Sequence, residues 1–153
     1  MKKLFIIIPA AFLLAACNSV QGIKESAVNC KYAVAGAEVT DASFSKVDMT
    51  VAMAVTNNSK INHASMTRFE GRLFVNDNDV TTISFGSYEV APGATGIVQT
   101  NLSIPFASIG KNIAGLVAAN SISLRYKIVG KAYFNTPLGE IPFPIVVEPP
   151  VKK

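Results

Sequence analysis

The chain has 153 residues, of which half are hydrophobic, with a formal net charge of +4 and a single histidine. This length fits one domain with a core of its own. Lys2 and Lys3 belong to a predicted leader, so the net charge of the mature chain is lower. The rest of the sequence has no basic stripe that could follow a phosphate backbone, and we therefore expect no nucleic-acid partner.

Residues 1–16 have the layout of a lipoprotein signal peptide. Lys2 and Lys3 precede an apolar run over 4–14, and two alanines follow it. The run is shorter than the roughly 20 apolar residues that a membrane-spanning helix needs. We therefore expect 1–16 to be absent from the mature chain.

The stretch Leu14-Ala15-Ala16-Cys17 resembles the lipobox of bacterial lipoproteins. The resemblance implies a diacylglyceryl group on the Cys17 thiol, cleavage before it, and an acyl chain such as palmitate on the new amino terminus. Two or more chains hold a protein stably on a membrane. The alternative is an ordinary cleavage site beside a chance cysteine. Asn18 resembles the signal for sorting to the outer membrane, which implies a lipid-anchored domain facing the periplasm.

Residues 17–28 form the lipidated N-terminus and a polar, aperiodic stretch that is typical of a tether. Residues 29–149 follow as one domain, and 150–153 as a C-terminal tail. Cys30 opens the first predicted strand, 30–39. If Cys17 carries lipid, Cys30 has no partner within the chain. We interpret it as a small buried residue, with a disulfide between two chains as the alternative.

The second predicted strand, 47–55, alternates apolar residues with polar or small ones. Period two over nine residues indicates a strand with one face in the core and one in water. Asn57 and Asn58 end the strand, because asparagine tolerates left-handed backbone and hydrogen-bonds to its own main chain.

The next two strands, 66–75 and 80–85, form a predicted β-hairpin with a four-residue loop over 76–79. Pro92-Gly93 predicts a turn before a further strand over 97–104. The period then changes from two to that of an amphipathic helix near 108–119. Its apolar residues are Ile109, Ile113, Leu116 and Val117.

Apolar and polar residues alternate again over 122–129, and apolar residues recur at every second position over 141–147. Pro142 and Pro144 cannot donate a ladder hydrogen bond, so the last strand is predicted at a sheet edge. Seven or eight strands with one short helix predict an all-β fold, a two-sheet β-sandwich.

Several stretches, in this order, resemble late embryogenesis abundant (LEA) type 2 domains, also called water stress and hypersensitive response (WHy) domains. They are "VAMAVTNNS", "FEGRLFVNDNDV", "VAPGATGIVQTNLSI" and "YKIVGKAYFNTPLGEIPFP". The match spans 29–148. It implies an immunoglobulin or fibronectin III-like sandwich, a role in desiccation or envelope-stress protection, and no catalytic residues. Asn58 stands where proline is common in the family, and the soluble plant members lack a lipobox.

Few side chains suited to chemistry are present. His63 has no visible orienting acid or nucleophile, which favours a solvated loop histidine over a base or a metal ligand. The stretch "NDND" over 76–79 lacks the glycine and the distant glutamate of a calcium loop, which favours a hairpin turn. We therefore expect no enzyme activity, no metal and no cofactor.

Two functional hypotheses follow. In the first, the anchored domain acts by binding, either protecting envelope proteins or serving as an adaptor for an unknown envelope protein or lipid. In the second, the sandwich is open between its sheets, and a groove for a lipid or other hydrophobic ligand is lined by Met49, Met53, Phe143 and Ile145. Flexible thioethers suit adaptable apolar surfaces, although core filler is the default interpretation for the methionines.

Overall fold

The structure is a computed structural model that describes residues 29–108, 125–136 and 139–148. The predicted leader, Cys17, the tether, most of the predicted helix near 108–119 and the C-terminal tail lie outside this part. The described strands are β1 (Cys30–Ala42), β2 (Lys46–Asn57), β3 (Ala64–Met66), β4 (Arg68–Val75), β5 (Asn78–Phe85), β6 (Tyr88–Val90), β7 (Thr95–Pro105), β8 (Tyr126–Thr136) and β9 (Gly139–Val147), with a 3₁₀ turn at Phe106–Ser108 after β7.

The described strands form three antiparallel sheets. Their orders are β1-β2-β7, β5-β4-β8-β9 and the short pair β3-β6. One hydrophobic core takes its side chains from all three sheets. The prediction of an all-β sandwich is confirmed, and β3 and β6 are strands that it did not include. Among the described residues, no helix has the length and apolar character needed to cross a bilayer.

The alternation in β2 builds the centre of the three-stranded sheet. Its inner residues are at most 1% exposed: Val47, Met49, Val51, Met53 and Val55. The residues between them face outward and are half-exposed. Because β2 pairs with β1 on one side and β7 on the other, a one-residue slip would turn its whole apolar set to solvent.

The hairpin between β4 and β5 is tighter than the sequence predicts. Asn76 and Asp77 alone form its turn, with φ of 49° and 65°. Asn78 and Asp79 already belong to β5, and Asn78 pairs with Val75. The predicted four-residue loop is therefore wrong. Two consecutive left-handed residues match the twist of a two-residue hairpin, and asparagine and aspartate tolerate that backbone.

The last strand lies at a sheet edge, as predicted, and meets the first. The Val34 N–H donates to the Glu148 carbonyl over 3.1 Å, and Ala33 and Glu148 form a parallel bridge. The Glu148 carbonyl therefore points away from β8. The backbone groups of every second residue before it point the same way, and these residues include Pro142 and Pro144. Because proline has no N–H, the open edge of β9 lacks a hydrogen-bond donor at these two positions.

The two ends of the three-stranded sheet are distinct. The described chain starts at Asn29, whose carbonyl accepts from the Asn58 N–H over 3.1 Å, and we call this the entry end. The tip of the β1–β2 hairpin, 43–45, lies at the opposite end, which we call the far end. The 13 residues of β1 separate the two. At about 3.3 Å per residue they lie roughly 40 Å apart.

Candidate functional site

The four residues of the predicted groove do not share one environment. Met49 and Met53 lie on the inner face of β2 and are 1% and 0% exposed. In β9, Ile145 is 8% exposed, whereas Phe143 is half-buried. The methionines are therefore core side chains, and the β9 residues lie nearer the surface.

The inner face of β9 becomes more exposed toward the start of the strand. Val147 is fully buried, while Phe143 and Ile141 are half-buried. The Phe143 ring packs edge-to-face on Phe134 of β8, with ring centroids 5.5 Å apart. At this edge the apolar interior comes close to solvent, which is where a hydrophobic ligand could enter.

A line of protonated groups lies inside the entry end. The Tyr88 hydroxyl donates to the Tyr32 hydroxyl over 3.2 Å, and Tyr32 is hydrogen-bonded to the Cys30 thiol. Burial raises the pKa of Tyr88 to about 12. Burial first, and Tyr88 second, raise the pKa of Tyr32. Burial also raises the pKa of Cys30, by more than the Tyr32 hydroxyl lowers it, so all three groups keep their protons at neutral pH.

These protonation states limit what Cys30 can do. The thiolate is the nucleophilic form of cysteine, and here the thiol is favoured. Cys30 is buried and not in a disulfide, in agreement with the interpretation as a small core residue. A disulfide to a second chain would first need Cys30 to reach the surface.

A cleft of about 420 Å³ opens between the β3–β6 pair and the end of β8. Its lining mixes aromatic and apolar side chains with hydroxyls, an amide and a carboxylate: Ser65, Met66, Thr67, Ser87, Tyr88, Glu89, Phe134 and Asn135. Tyr88 belongs both to this cleft and to the protonated line. Most of the lining side chains are polar, whereas a typical small-molecule site is lined predominantly by apolar groups.

Asn57 is a buried polar residue that joins three segments. It is 1% exposed. Its Nδ2 donates to the carbonyls of Asn62 at 2.8 Å and Val90 at 3.1 Å, with a longer contact to Ala91 at 3.3 Å. Its Oδ1 accepts from the Ser59 N–H over 3.0 Å. One side chain thereby connects β2, the loop 58–63 and the end of β6.

The loop 58–63 is held in one shape by hydrogen bonds. Ser59 Oγ accepts from the N–H groups of Asn62 at 3.0 Å and Ile61 at 3.4 Å, and the Gly93 N–H donates to the Ser59 carbonyl at 3.0 Å. Ile61 is nevertheless 82% exposed, beside the exposed Lys60. The hydrogen-bonded shape of the loop is therefore what keeps the Ile61 side chain exposed.

His63 closes the same loop and contacts an acid. Its Nδ1 lies 2.9 Å from a Glu89 carboxylate oxygen, and both side chains are more than half exposed. This setting agrees with a solvated loop histidine. Among the residues that the structure describes, no three histidine, cysteine, aspartate or glutamate side chains are placed to hold a metal ion. The first two residues of "NDND" form the hairpin turn and the last two open β5, which agrees with a hairpin rather than a calcium loop.

The outer face of the β1-β2-β7 sheet carries uncharged polar groups that we call the polar face: Thr50, Thr56, Thr95, Gln99, Asn101 and Ser103. Thr50 Oγ1 donates to Asn101 Oδ1 over 2.8 Å, and the hydroxyls of Thr56 and Thr95 are 2.9 Å apart. A shallow depression of about 360 Å³ crosses the sheet beside Ile97, which is 62% exposed. Hydroxyl and amide groups both donate and accept hydrogen bonds, so this face can bind either kind of group.

No family model matches the sequence, and no curated protein matches it. Solved structures do match. The solution structure of AT1g01470 from Arabidopsis thaliana superposes with a TM-score of 0.50 at 14% identity, covering 76% of this chain and 77% of that one. The two chains share a fold.

Two further solved structures match this chain. One is a candidate late embryogenesis abundant protein, At2g46140.1, with a TM-score of 0.48 at 12% identity over 90% of this chain and 82% of that one. The other is a protein from Archaeoglobus fulgidus, with a TM-score of 0.46 at 11% identity over 77% of this chain and 91% of that one. The likeness to AT1g01470 confirms the sandwich fold that the sequence resemblance implies.

The predicted site residues did not include Tyr32, Tyr88 or Ile61. The two tyrosines lie far apart in the chain, and only the sheet topology brings their hydroxyls together. Ile61 did leave a signal, since it is a lone apolar residue in the polar stretch "NNSKINH".

Proposed function

We propose that this chain is a non-enzymatic lipoprotein of the bacterial cell envelope whose LEA type 2-like sandwich acts by binding. Acyl chains on Cys17 hold it on the outer membrane, facing the periplasm. The sandwich protects envelope proteins during desiccation or envelope stress, or serves as an adaptor for one of them. The lipobox at 14–17, the resemblance over 29–148 and the shared fold support this proposal.

The polar face is the observation that carries the binding role. The small residues Ala52 and Ala54 lie between its hydroxyls and amides, beside the exposed Ile97, so a partner protein can contact polar and apolar groups together. During drying, a partner protein loses the water that satisfied its surface hydrogen bonds. Side chains that both donate and accept can take the place of that water.

Complementation of a deletion strain tests the proposal. Wild type should restore survival of drying, osmotic shock and detergent. Cys17→Ser should not, because the domain then lacks its acyl anchor. The double variant Thr50→Val with Gln99→Ala, which removes polar groups from the face, should also fail. Thr82→Val on the outer face of the other sheet is the matched control and should restore survival.

Unchanged tolerance of the deletion strain to all three stresses would contradict the protective role. Crosslinking in intact envelopes, followed by pull-down, then tests the adaptor role. A partner captured by wild type and by Thr82→Val, but not by the double variant, supports it. Capture that is equal in all three, or absent in all, argues against it.

The gradual exposure of the inner face of β9 favours a second function, the binding of a lipid or other hydrophobic ligand. Phe143 and Ile141 are half-buried there beside Phe134, which also lines the 420 Å³ cleft. Native mass spectrometry of the protein without its anchor should then show a bound acyl ligand. Phe143→Ser should release the ligand, and Val146→Ser, on the outer face of the same strand, should retain it. A ligand-free wild-type mass would contradict this function.

A further inference from the structure

Two large apolar side chains stand out at opposite ends of the described sandwich. Phe44 is fully exposed at the far end, in the tip of the β1–β2 hairpin, and Ile61 is 82% exposed at the entry end. Single exposed apolar residues are common on protein surfaces. What Phe44 and Ile61 can contact depends on how far each of them lies from Asn29, the first described residue.

The loop that carries Ile61 is joined directly to the point where the chain enters the domain. The Asn58 N–H donates to the Asn29 carbonyl over 3.1 Å, and Ile61 follows three residues later. The bonds of Asn57 and Ser59 fix the loop, so Ile61 keeps one position relative to Asn29. A side chain held in place loses little conformational entropy when it binds a surface.

The length of the tether places this end near the membrane. Only residues 18–28 separate Cys17 from Asn29. A flexible chain of this length has an end-to-end distance of about 20 Å. Phe44 lies a further 40 Å or so away along β1. If Cys17 is in the bilayer, the tether keeps the loop 58–63 within reach of the headgroups, and an upright domain holds the far end away from them.

The charges around Ile61 suit the same surface. Lys60 is exposed beside it, and Lys31 is exposed on β1, one residue from Cys30. His63, the last residue of the loop, contacts the Glu89 carboxylate at 2.9 Å. Lysine can place its ammonium group among lipid phosphates while a neighbouring apolar side chain enters the boundary of the acyl region.

We propose that the anchored domain stands on the bilayer on its loop 58–63, with Ile61 inserted at the interface and Phe44 pointing away from the membrane. The inference rests on the proposed lipid anchor and adds which surface of the domain faces the lipid. It leaves the polar face of the sandwich, which runs between the two ends, open to the periplasm.

Site-specific fluorescence on the lipidated full-length protein tests this orientation. Ile61→Cys, Phe44→Cys and Val129→Cys are each labelled with one environment-sensitive dye and reconstituted into phosphatidylethanolamine and phosphatidylglycerol vesicles. Brominated lipids then quench any dye at the interface. The parent protein measures background labelling of Cys30, whose thiol is buried. We expect a blue shift and loss of most of the fluorescence at position 61, with no change at positions 44 and 129.

The other outcomes separate this inference from the anchor itself. Protein that floats with the vesicles but shows no quenching at position 61 overturns the loop contact and leaves the anchor intact. Quenching at position 44 or 129 that equals that at 61 overturns the upright orientation. Crosslinking of position 61 to a protein in envelopes, with no quenching in vesicles, assigns the loop to a protein partner instead. Protein that does not float refutes the anchor, and the inference with it.

Discussion

Gly71 and Gly130 lie opposite each other on β4 and β8, and the ring of Phe69 lies over both. A Cβ atom on Gly130 would lie 2.6 Å from the Phe69 ring, and one on Gly71 would lie 2.6 Å from the Val129 carbonyl oxygen. Both distances are well inside van der Waals contact. The absence of two side chains therefore makes room for a large ring in the core.

Replacing Gly130 with alanine should destabilise the fold. We expect Gly130→Ala to lower the free energy of unfolding by about 2 kcal/mol, because overpacking a filled core typically costs about 1–3 kcal/mol. Urea unfolding followed by circular dichroism measures the loss. Gly36→Ala in β1 is the matched control, since nothing lies within 4 Å of its Cβ position. An equal loss in both variants would contradict close approach as the cause.

Asn57 should be far more important for stability than its neighbour Asn58. Asn57→Ala leaves the buried carbonyl of Val90 without its side-chain donor and removes the acceptor of the Ser59 N–H. Because an unsatisfied buried polar group costs about 1–3 kcal/mol, we expect a loss of at least about 2 kcal/mol. Thermal and urea unfolding measure it. The exposed Asn58→Ala should stay near wild type, and equal losses at both positions would contradict the role assigned to Asn57.

The variant Asn57→Asp adds a pH test of the same site. A carboxylate at this position would face three carbonyl oxygens, whereas the protonated acid could donate to one of them. Burial among acceptors raises the pKa of such a group in the folded state, so its contribution to stability is lost as pH rises. Relative to wild type, we expect Asn57→Asp to be less destabilised in acid than at neutral pH. A pH-independent difference would rule out this geometry.

The Glu140 carboxylate accepts hydrogen bonds from Arg68 and, at 2.8 Å, from the Thr67 hydroxyl. Arg68 first and Thr67 second lower the pKa of Glu140. The resulting stabilisation is present above the pKa of an unfolded glutamate and is lost as pH falls through the lower pKa of the folded state. An NMR titration of Arg68→Gln should show the pKa of Glu140 returning toward its ordinary value.

Two controls belong with that titration. Thr67→Val should raise the pKa of Glu140 by less than Arg68→Gln does, because it removes the smaller cause. Arg72, elsewhere on β4, pairs with Asp79 of β5, so Arg72→Gln should leave the pKa of Glu140 unchanged. An unaltered Glu140 titration in Arg68→Gln would show that the pair is not formed in solution.

The pair of Tyr32 and Tyr88 should make the stability of the fold fall in alkaline solution. Since the pKa of Tyr88 is raised from 10.0 to about 12, the pair favours folding below the pKa of unfolded tyrosine. This contribution is lost as pH rises through the folded value. Urea midpoints should therefore fall from about pH 10 upward, and less steeply in Tyr88→Phe, which has one titrating group fewer. Parallel declines for the two proteins would contradict the assignment.

The two prolines of β9 should prevent strands from adding to the open edge. Pro142→Thr with Pro144→Thr restores two N–H groups on the side of β9 that faces away from β8. An edge with free N–H and C=O groups is a template for pairing between chains. Light scattering after size-exclusion chromatography should show concentration-dependent oligomers. Val146→Thr, which changes a side chain but no backbone donor, should stay in the state of wild type.

Much of the fold follows from short-range patterns. The alternation around Met49 and Met53 predicts which face of β2 is buried, and the prolines at 142 and 144 predict an edge. The strands β3 and β6 were missed because three residues are too few to display a period. The length of the loop at Asn76 was overestimated, since residues with turn propensity can also occupy strand positions beside a tight turn.

The candidate site was less predictable for a different reason. Alternation shows that Met49 and Met53 face inward, but it does not show whether the interior there is filled or open. Asn57 was interpreted through its turn chemistry, and nothing local indicates that its side chain is buried against carbonyls of β6. Pairs such as Tyr32 with Tyr88 depend on contacts between strands that are distant in the chain.

The bridge between Ala33 and Glu148 also affects how the domain is made. It joins β1 to the residue that follows β9, so β1 lacks this backbone partner until residue 148 has been synthesised. Synthesis delivers β1 first, and the partner of its free edge follows more than a hundred residues later. Contacts this distant form slowly and leave the nascent chain open to misassembly. The bulges after Val34 and Val39 make that early edge a poor template for other chains in the meantime.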